Sequence, residues 1–166
     1  LYNLTRQEIQ TRIHATYKDV MAQTAGDKEK FKWDSVKSVE ELGEVRMKAM
    51  SAFLDSYDEG KMSGRYIPAA LPDLPFSNDA FDISLCSHFL FLYTDQLTYE
   101  FHVKAIKEML RVSQEARIFP LLDYNAKKSP YVREIISEFK AQRIEIKKVP
   151  YEFQVGGNEL LIIRKT

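Results

Sequence analysis

Leu74-Pro75-Phe76-Ser77-Asn78-Asp79-Ala80-Phe81-Asp82-Ile83-Ser84-Leu85-Cys86-Ser87-His88-Phe89-Leu90 decides how this chain folds. Pro68, Pro72 and Pro75 punctuate a loop that cannot be helical, because each proline lacks an amide hydrogen and has a fixed φ. A polar turn follows. Phe81 to Cys86 is then a compact apolar run with Asp82 and Ser84 interspersed. It predicts a buried strand of a parallel sheet, with Ile83 and Leu85 in the core.

Downstream, helix and strand patterns alternate. Asp95 to Val112 predicts a helix with His102, Ala105, Met109 and Leu110 near one face. Ala116 to Leu122 predicts a second buried strand. Ser129 is placed as an N-cap with Pro130 at the first helical position, and Val132, Ile135, Ile136 and Phe139 face inward. Ile144 to Val149 and Glu159 to Arg164 predict a hairpin, with a turn at Gly156, Gly157 and Asn158. Such alternation predicts an α/β fold, a mostly parallel sheet with one antiparallel strand at or near its edge.

Upstream, two long helices are expected. Thr5 and Glu8 have capping-box spacing, and Ile9, Ile13, Tyr17 and Val20 recur at helical spacing up to Gly26. Ser38 and Glu41 repeat the box, ahead of Leu42, Val45, Ala49, Phe53 and Tyr57, with Gly60 and Gly64 closing the helix. The charge run Asp27 to Lys32 reads as a solvated connection or an anion contact, and Trp33 as a packing anchor. The domains are drawn as a helical region, 1–65, that could serve as an insertion or lid, and an α/β region, 66–166.

Composition narrows the function. The 166 residues carry 24 basic and 24 acidic side chains and no net charge, which argues against general nucleic-acid binding. No stretch of about 18 apolar residues is present, so no transmembrane helix and no membrane partner are expected. A single cysteine excludes an internal disulfide and fits a reducing, cytoplasmic compartment. There is no P-loop, no GxGxxG, no GxSxG elbow and no CxxC or HExxH. His14, His88 and His102 are scattered, so no metal site is expected.

The quoted segment resembles the fourth-strand region of class I S-adenosylmethionine-dependent methyltransferases, in which Leu-Pro-Phe, a polar turn and Phe-Asp lead into an apolar strand. Glu108-Met109-Leu110-Arg111-Val112 is similar to the family's next helix, and Ala116 to Leu122 to its fifth strand. Tyr151-Glu152-Phe153-Gln154 and Gly156-Gly157-Asn158 are similar to its sixth and seventh strands. The likeness spans Tyr66 to Arg164. It implies a Rossmann-like sheet, S-adenosylmethionine as cofactor and a small-molecule acceptor.

The resemblance also implies site residues. Ligands of such sheets lie beyond the carboxyl ends of the strands. The loop before Leu74 would lie against the cofactor. Ala70 stands where an acid is common, which leaves backbone contacts near Leu71 and Pro72. Cys86 and Ser87 are placed on the cofactor side, with a small buried hydrophobe as the leading reading of Cys86. His88 is the candidate base or substrate contact, or a hydrogen-bonded structural histidine. Phe89, Tyr93, Asp123 and Tyr124 are substrate-side candidates. Packing for Tyr93 and loop capping for Asp123 are their alternatives.

The family's sheet runs in the order 3-2-1-4-5-7-6, with a glycine-rich loop after its first strand and a ribose-binding acid after its second. Neither is in this sequence. The chain begins at Leu1, so it is expected to be the C-terminal part of a longer methyltransferase, its first two strands absent. The missing N-terminal segment, or a homodimer, would then cover an exposed fourth strand. The rival expectation is an inactive methyltransferase-like binding or dimerisation module.

Overall fold

A computed structural model describes residues 1–166, which fall into two compact units, Leu1–Ala69 and Ala70–Thr166. The first unit is helical: α1 (Arg6–Gly26), α2 (Val39–Asp55) and α3 (Tyr57–Met62). The Thr5–Glu8 capping box closes in both directions. At α2 it closes in one: Ser38 accepts from the Glu41 amide, but the Glu41 carboxylate takes the Lys37 amide instead. Gly60 does not end α2. It lies inside α3, where the close approach of the Tyr66 ring, 2.3 Å from a would-be Cβ, leaves room only for glycine. Ile9, Leu54 and Tyr57 form the unit's small core, and the Tyr57 hydroxyl donates to the Leu4 carbonyl at 2.8 Å. Along α1 the stripe is shallow: Val20 is exposed.

The second unit is α/β, with β1 (Phe81–Ser87), α4 (Tyr99–Val112), β2 (Ser113–Phe119), α5 (Tyr131–Glu138), β3 (Arg143–Lys148) and β4 (Glu159–Arg164). The mixed four-stranded sheet has the order β1-β2-β4-β3. β1 and β2 are parallel, with Phe81 opposite Ser113 and Ser87 opposite Phe119. β4 is antiparallel to both β2 and β3, so the expected hairpin forms and its second strand is inserted beside β2.

Three boundaries move for local reasons. α4 starts at Tyr99, not Asp95, because the Thr98 side chain caps the Phe101 amide. β2 ends at Phe119, where Pro120 offers no amide to the ladder. The N-cap of α5 is Pro130, not Ser129, whose buried hydroxyl lies 2.7 Å from that of Thr94.

The sheet has one clothed face. Cys86, Ala116, Ile118, Leu161 and Ile163 point to the same side and pack with Ala105, Ile106, Met109, Val132 and Ile135 of α4 and α5. The expectation that Ile83 and Leu85 are core is therefore corrected. They alternate onto the opposite face, where Ile83 is 42% and Leu85 73% exposed. Further along that face Glu115 takes hydrogen bonds from both Arg117 and Arg164, and Arg164 reaches Glu145 at 3.2 Å.

The loop before β1 is pinned by α4. Glu108 accepts the Leu74 amide at 2.7 Å and two guanidinium bonds from Arg111 at 2.8 and 2.7 Å. Arg111 donates onward to the carbonyls of Phe76 and Leu74 and to Asn78 Oδ1. Arg111 holds the Glu108 carboxyl below its ordinary 4.5, with burial opposing and the Leu74 amide adding to the effect. A depressed carboxyl contributes stability above its unfolded pKa and loses it as pH falls through the folded value. Glu108→Gln is expected to lower the unfolding free energy at neutral pH by about 2 kcal/mol. In urea titrations the gap from the parent should close at acid pH below 4.5, and equal midpoints at neutral pH would refute the pin. Gly60→Ala drives a methyl into a ring stacked on Tyr2 at 5.3 Å. It should cost about 1–3 kcal/mol in thermal unfolding, and an unchanged melt would show that Tyr66 yields freely.

Candidate functional site

The carboxyl ends of β1 and β2 lie side by side because the strands are parallel. Ser87 closes β1, and the next residue turns out of the ladder. The His88 amide donates to the Phe119 carbonyl at 2.7 Å, while His88 itself takes φ +53°. Left-handed backbone at a bulky residue is unfavourable by about 1–3 kcal/mol and is found where the surroundings enforce it. The turn is sharp enough to alternate the following side chains. Leu90 and Phe91 go into the core, while Phe89 and Tyr93 stay exposed.

His88 and Ser87 form a pair, Nδ1 to Oγ 2.8 Å. The imidazole stands edge-on to Phe119 at 5.6 Å, and Phe119 continues to Tyr151 at 5.9 Å. On the other side Phe89 meets Tyr93 at 6.2 Å and Phe101 at 6.3 Å. Partial burial pushes the His88 pKa down from 6.5, so the ring is neutral at pH 7. A neutral ring has one donor and one acceptor nitrogen. When Nδ1–H donates to Ser87, Nε2 presents a lone pair, as a proton acceptor requires.

The other sequence-derived candidates separate. Cys86 is buried in the core, and burial pushes its thiol up, so it behaves as a small apolar residue. Leu71 packs against the same core, and Leu71–Pro72, a cis peptide, sits in the tight turn closed by the Asp73 amide on the Ala70 carbonyl. Asp123 caps its own turn: Oδ1 accepts the amides of Asn125 and Lys127 at 2.8 and 2.9 Å. Gln154 fixes that turn by donating to the Asp123 carbonyl, and Tyr124 is exposed on it. His102 is fully buried, with Nε2 2.9 Å from the Leu90 carbonyl and Nδ1 2.8 Å from that of Thr98. It holds the start of α4 against the turn after β1.

Sequence reasoning missed Phe119 and Tyr151 as site walls. Placing the end of β2 at Leu122 put Phe119 inside a strand, whereas it is the strand's last residue. Tyr151 was legible only as part of the segment after β3.

His88→Gly keeps the left-handed turn and removes the ring, so its stability should stay within about 0.5 kcal/mol of the parent. His88→Val, β-branched at positive φ, should lose about 1–3 kcal/mol. A proton NMR titration should place the His88 midpoint below 6.5. By linkage, the neutral ring's contribution is present above its unfolded pKa and fades as pH falls through the folded one. Equal melts for the two variants, or a midpoint above 6.5, would overturn this description.

No family model matches the sequence, and no solved structure matches the chain. Uncharacterized protein MJ0045 of Methanocaldococcus jannaschii is 38% identical over 166 residues, an alignment covering 99% of this chain and 73% of that protein. No helix is long and apolar enough to cross a membrane. At this identity and coverage, the chain belongs to the family of that archaeal protein.

Proposed function

We propose that this protein is an S-adenosylmethionine-dependent methyltransferase with a small-molecule acceptor, and that its sheet is the acceptor side of a Rossmann-like fold. The observation that carries this reading is the strand order β1-β2-β4-β3, with β4 antiparallel between two strands of the opposite direction. It is the order in which the resemblance places the fourth to seventh strands, and few connections produce it.

The residues fit the cofactor in part. The resemblance assigns cofactor contacts to Leu71, Pro72 and Ser87, which lie in a tight turn and at the end of β1. Ala70 has no carboxylate, and a glycine-rich loop is not among these residues. No step is therefore routed through the cofactor, which when bound supplies a sulfonium methyl group. What this chain contributes is positioning. His88 Nε2 can take a proton from an acceptor held at the ends of β1 and β2, Ser87 fixes the ring, and Phe89, Phe119 and Tyr151 offer apolar surface beside it.

A second reading, an inactive binding or dimerisation module, is favoured by β1. Phe81, Ile83 and Leu85 leave an exposed apolar row on a strand paired along one edge only. Calorimetric titration with S-adenosylhomocysteine separates the two. Submillimolar binding, weakened in Ser87→Ala, is expected of the enzyme. No heat of binding, together with dimers that Leu85→Lys dissolves in sedimentation, would establish the module.

A further inference from the structure

The rings beyond β1 and β2 say what the acceptor is. Aromatic side chains bury 150–250 Å² each when packed, so exposing several together forgoes a large stabilisation (on the order of kcal/mol per ring). Here Phe89 is 38%, Tyr93 40% and Tyr151 56% exposed; Phe89 follows His88 in the chain and meets Tyr93, and Tyr151 meets Phe119, which stands edge-on to His88. None stacks flat on another. Phe89 and Tyr93 are tilted by 57°, Phe119 and Tyr151 by 59°, and His88 and Phe119 by 74°. In a tilted pair neither ring covers the full face of the other.

The polar equipment is equally spare. From Ser87 to Thr94 the chain carries no Lys, Arg, Asp or Glu. A phosphate-bearing or carboxylate ligand would need cations there, and a nucleic-acid strand a positive groove beside the rings. Besides the Tyr93 and Tyr151 hydroxyls, the site offers the Ser87–His88 pair, whose Nδ1 is engaged and whose Nε2 is the remaining hydrogen-bonding atom of the imidazole. An aliphatic ligand would be served by Leu or Val walls. Aromatic walls favour a π-system.

We infer that the ends of β1 and β2 bind an uncharged planar aromatic or heteroaromatic compound carrying one hydroxyl or ring N–H, seated between Phe89–Tyr93 and Phe119–Tyr151 with that group on His88. This names the acceptor class and rests on the site of the methyl-transfer reading, but the binding itself needs no cofactor.

The test is an amide NMR titration of the full chain with phenol and with indole, using cyclohexanol as the saturated control. Phenol and indole should shift the amides of residues 87–93, 119 and 151. Cyclohexanol should shift them far less at equal concentration. Phe89→Ala and Tyr151→Ala, both at exposed positions, should each weaken binding about threefold to tenfold. Equal response to cyclohexanol, shifts confined to the groove at Ser129, Arg133 and Ile146, or unchanged affinity in both variants would overturn the inference. S-adenosylhomocysteine added to the same sample keeps the two readings apart. Phenol or indole bound without it sustains the aromatic site while the methyl-transfer reading fails, and the reverse result removes the aromatic site alone.

Discussion

The ion pair of Glu108 and Arg111 is the constraint on which the second unit depends. The two residues are three apart at the end of α4, so their side chains project from one helical face. A carboxylate with two acceptor oxygens and a planar guanidinium with five donors can satisfy several backbone groups at once. They do so for the amide and carbonyl of Leu74 and the carbonyl of Phe76. A lysine at position 111 could not reach this set, because its ammonium is one point rather than a fork. The Asp79 amide then donates to the Arg111 carbonyl at 3.0 Å. The chain is thus fixed at two heights before it enters β1, and the register of Phe81 opposite Ser113 follows. A slip of one residue would turn Cys86 outward and Leu85 inward, and the Ser113–Ser84 hydroxyl bond and the His88 amide on the Phe119 carbonyl hold the same register further along.

That register decides the character of the sheet. Both helical connections, through α4 and α5, return on the Cys86 side, so one face collects the apolar residues of three strands. The other face is divided. At β2 and β4 a charged cluster lies beside buried Ile162: Glu115 would be pushed up by burial, but Arg117 and Arg164 outweigh this and keep its carboxyl low. At β1 it is apolar and open. An edge strand built to stay solvent-exposed carries lysine, proline or a bulge. β1 carries none of these, and its composition is that of an interior strand.

This division explains what was legible in the sequence and what was not. The run Phe81 to Cys86 announced a strand, and its apolar content announced burial on both faces. The strand exists, but burial depends on neighbours that no local pattern encodes, so Ile83 and Leu85 came out on the wrong side. The alternation of helix and strand was readable because each element has its own period. Strand order was not readable from period: β4 lies between β2 and β3 through long-range pairing, and only the likeness to a known sheet suggested it. In the site, His88 was visible as a titratable group at a strand end. Asp123 looked similar and is spent on capping its own turn, a use set by backbone geometry. The error at Ser129 has the same origin, since its hydroxyl was claimed by Thr94 across the core rather than by the helix it precedes.

The bend at His88 links these features to chemistry. A left-handed histidine is unfavourable in isolation, and two things offset it here. Its amide is the last rung of the parallel ladder, bonded to the Phe119 carbonyl, and the Leu90 carbonyl two residues later is caught by buried His102. The turn is therefore clamped at both ends by α4 and β2, the elements that Glu108 and Arg111 hold in register. Release of either clamp would let the segment relax toward extended backbone. The strain is confined to the residue whose ring is exposed, while its supports are buried. Glycine would adopt this φ without cost, so the imidazole is carried here at a conformational expense that its buried supports offset.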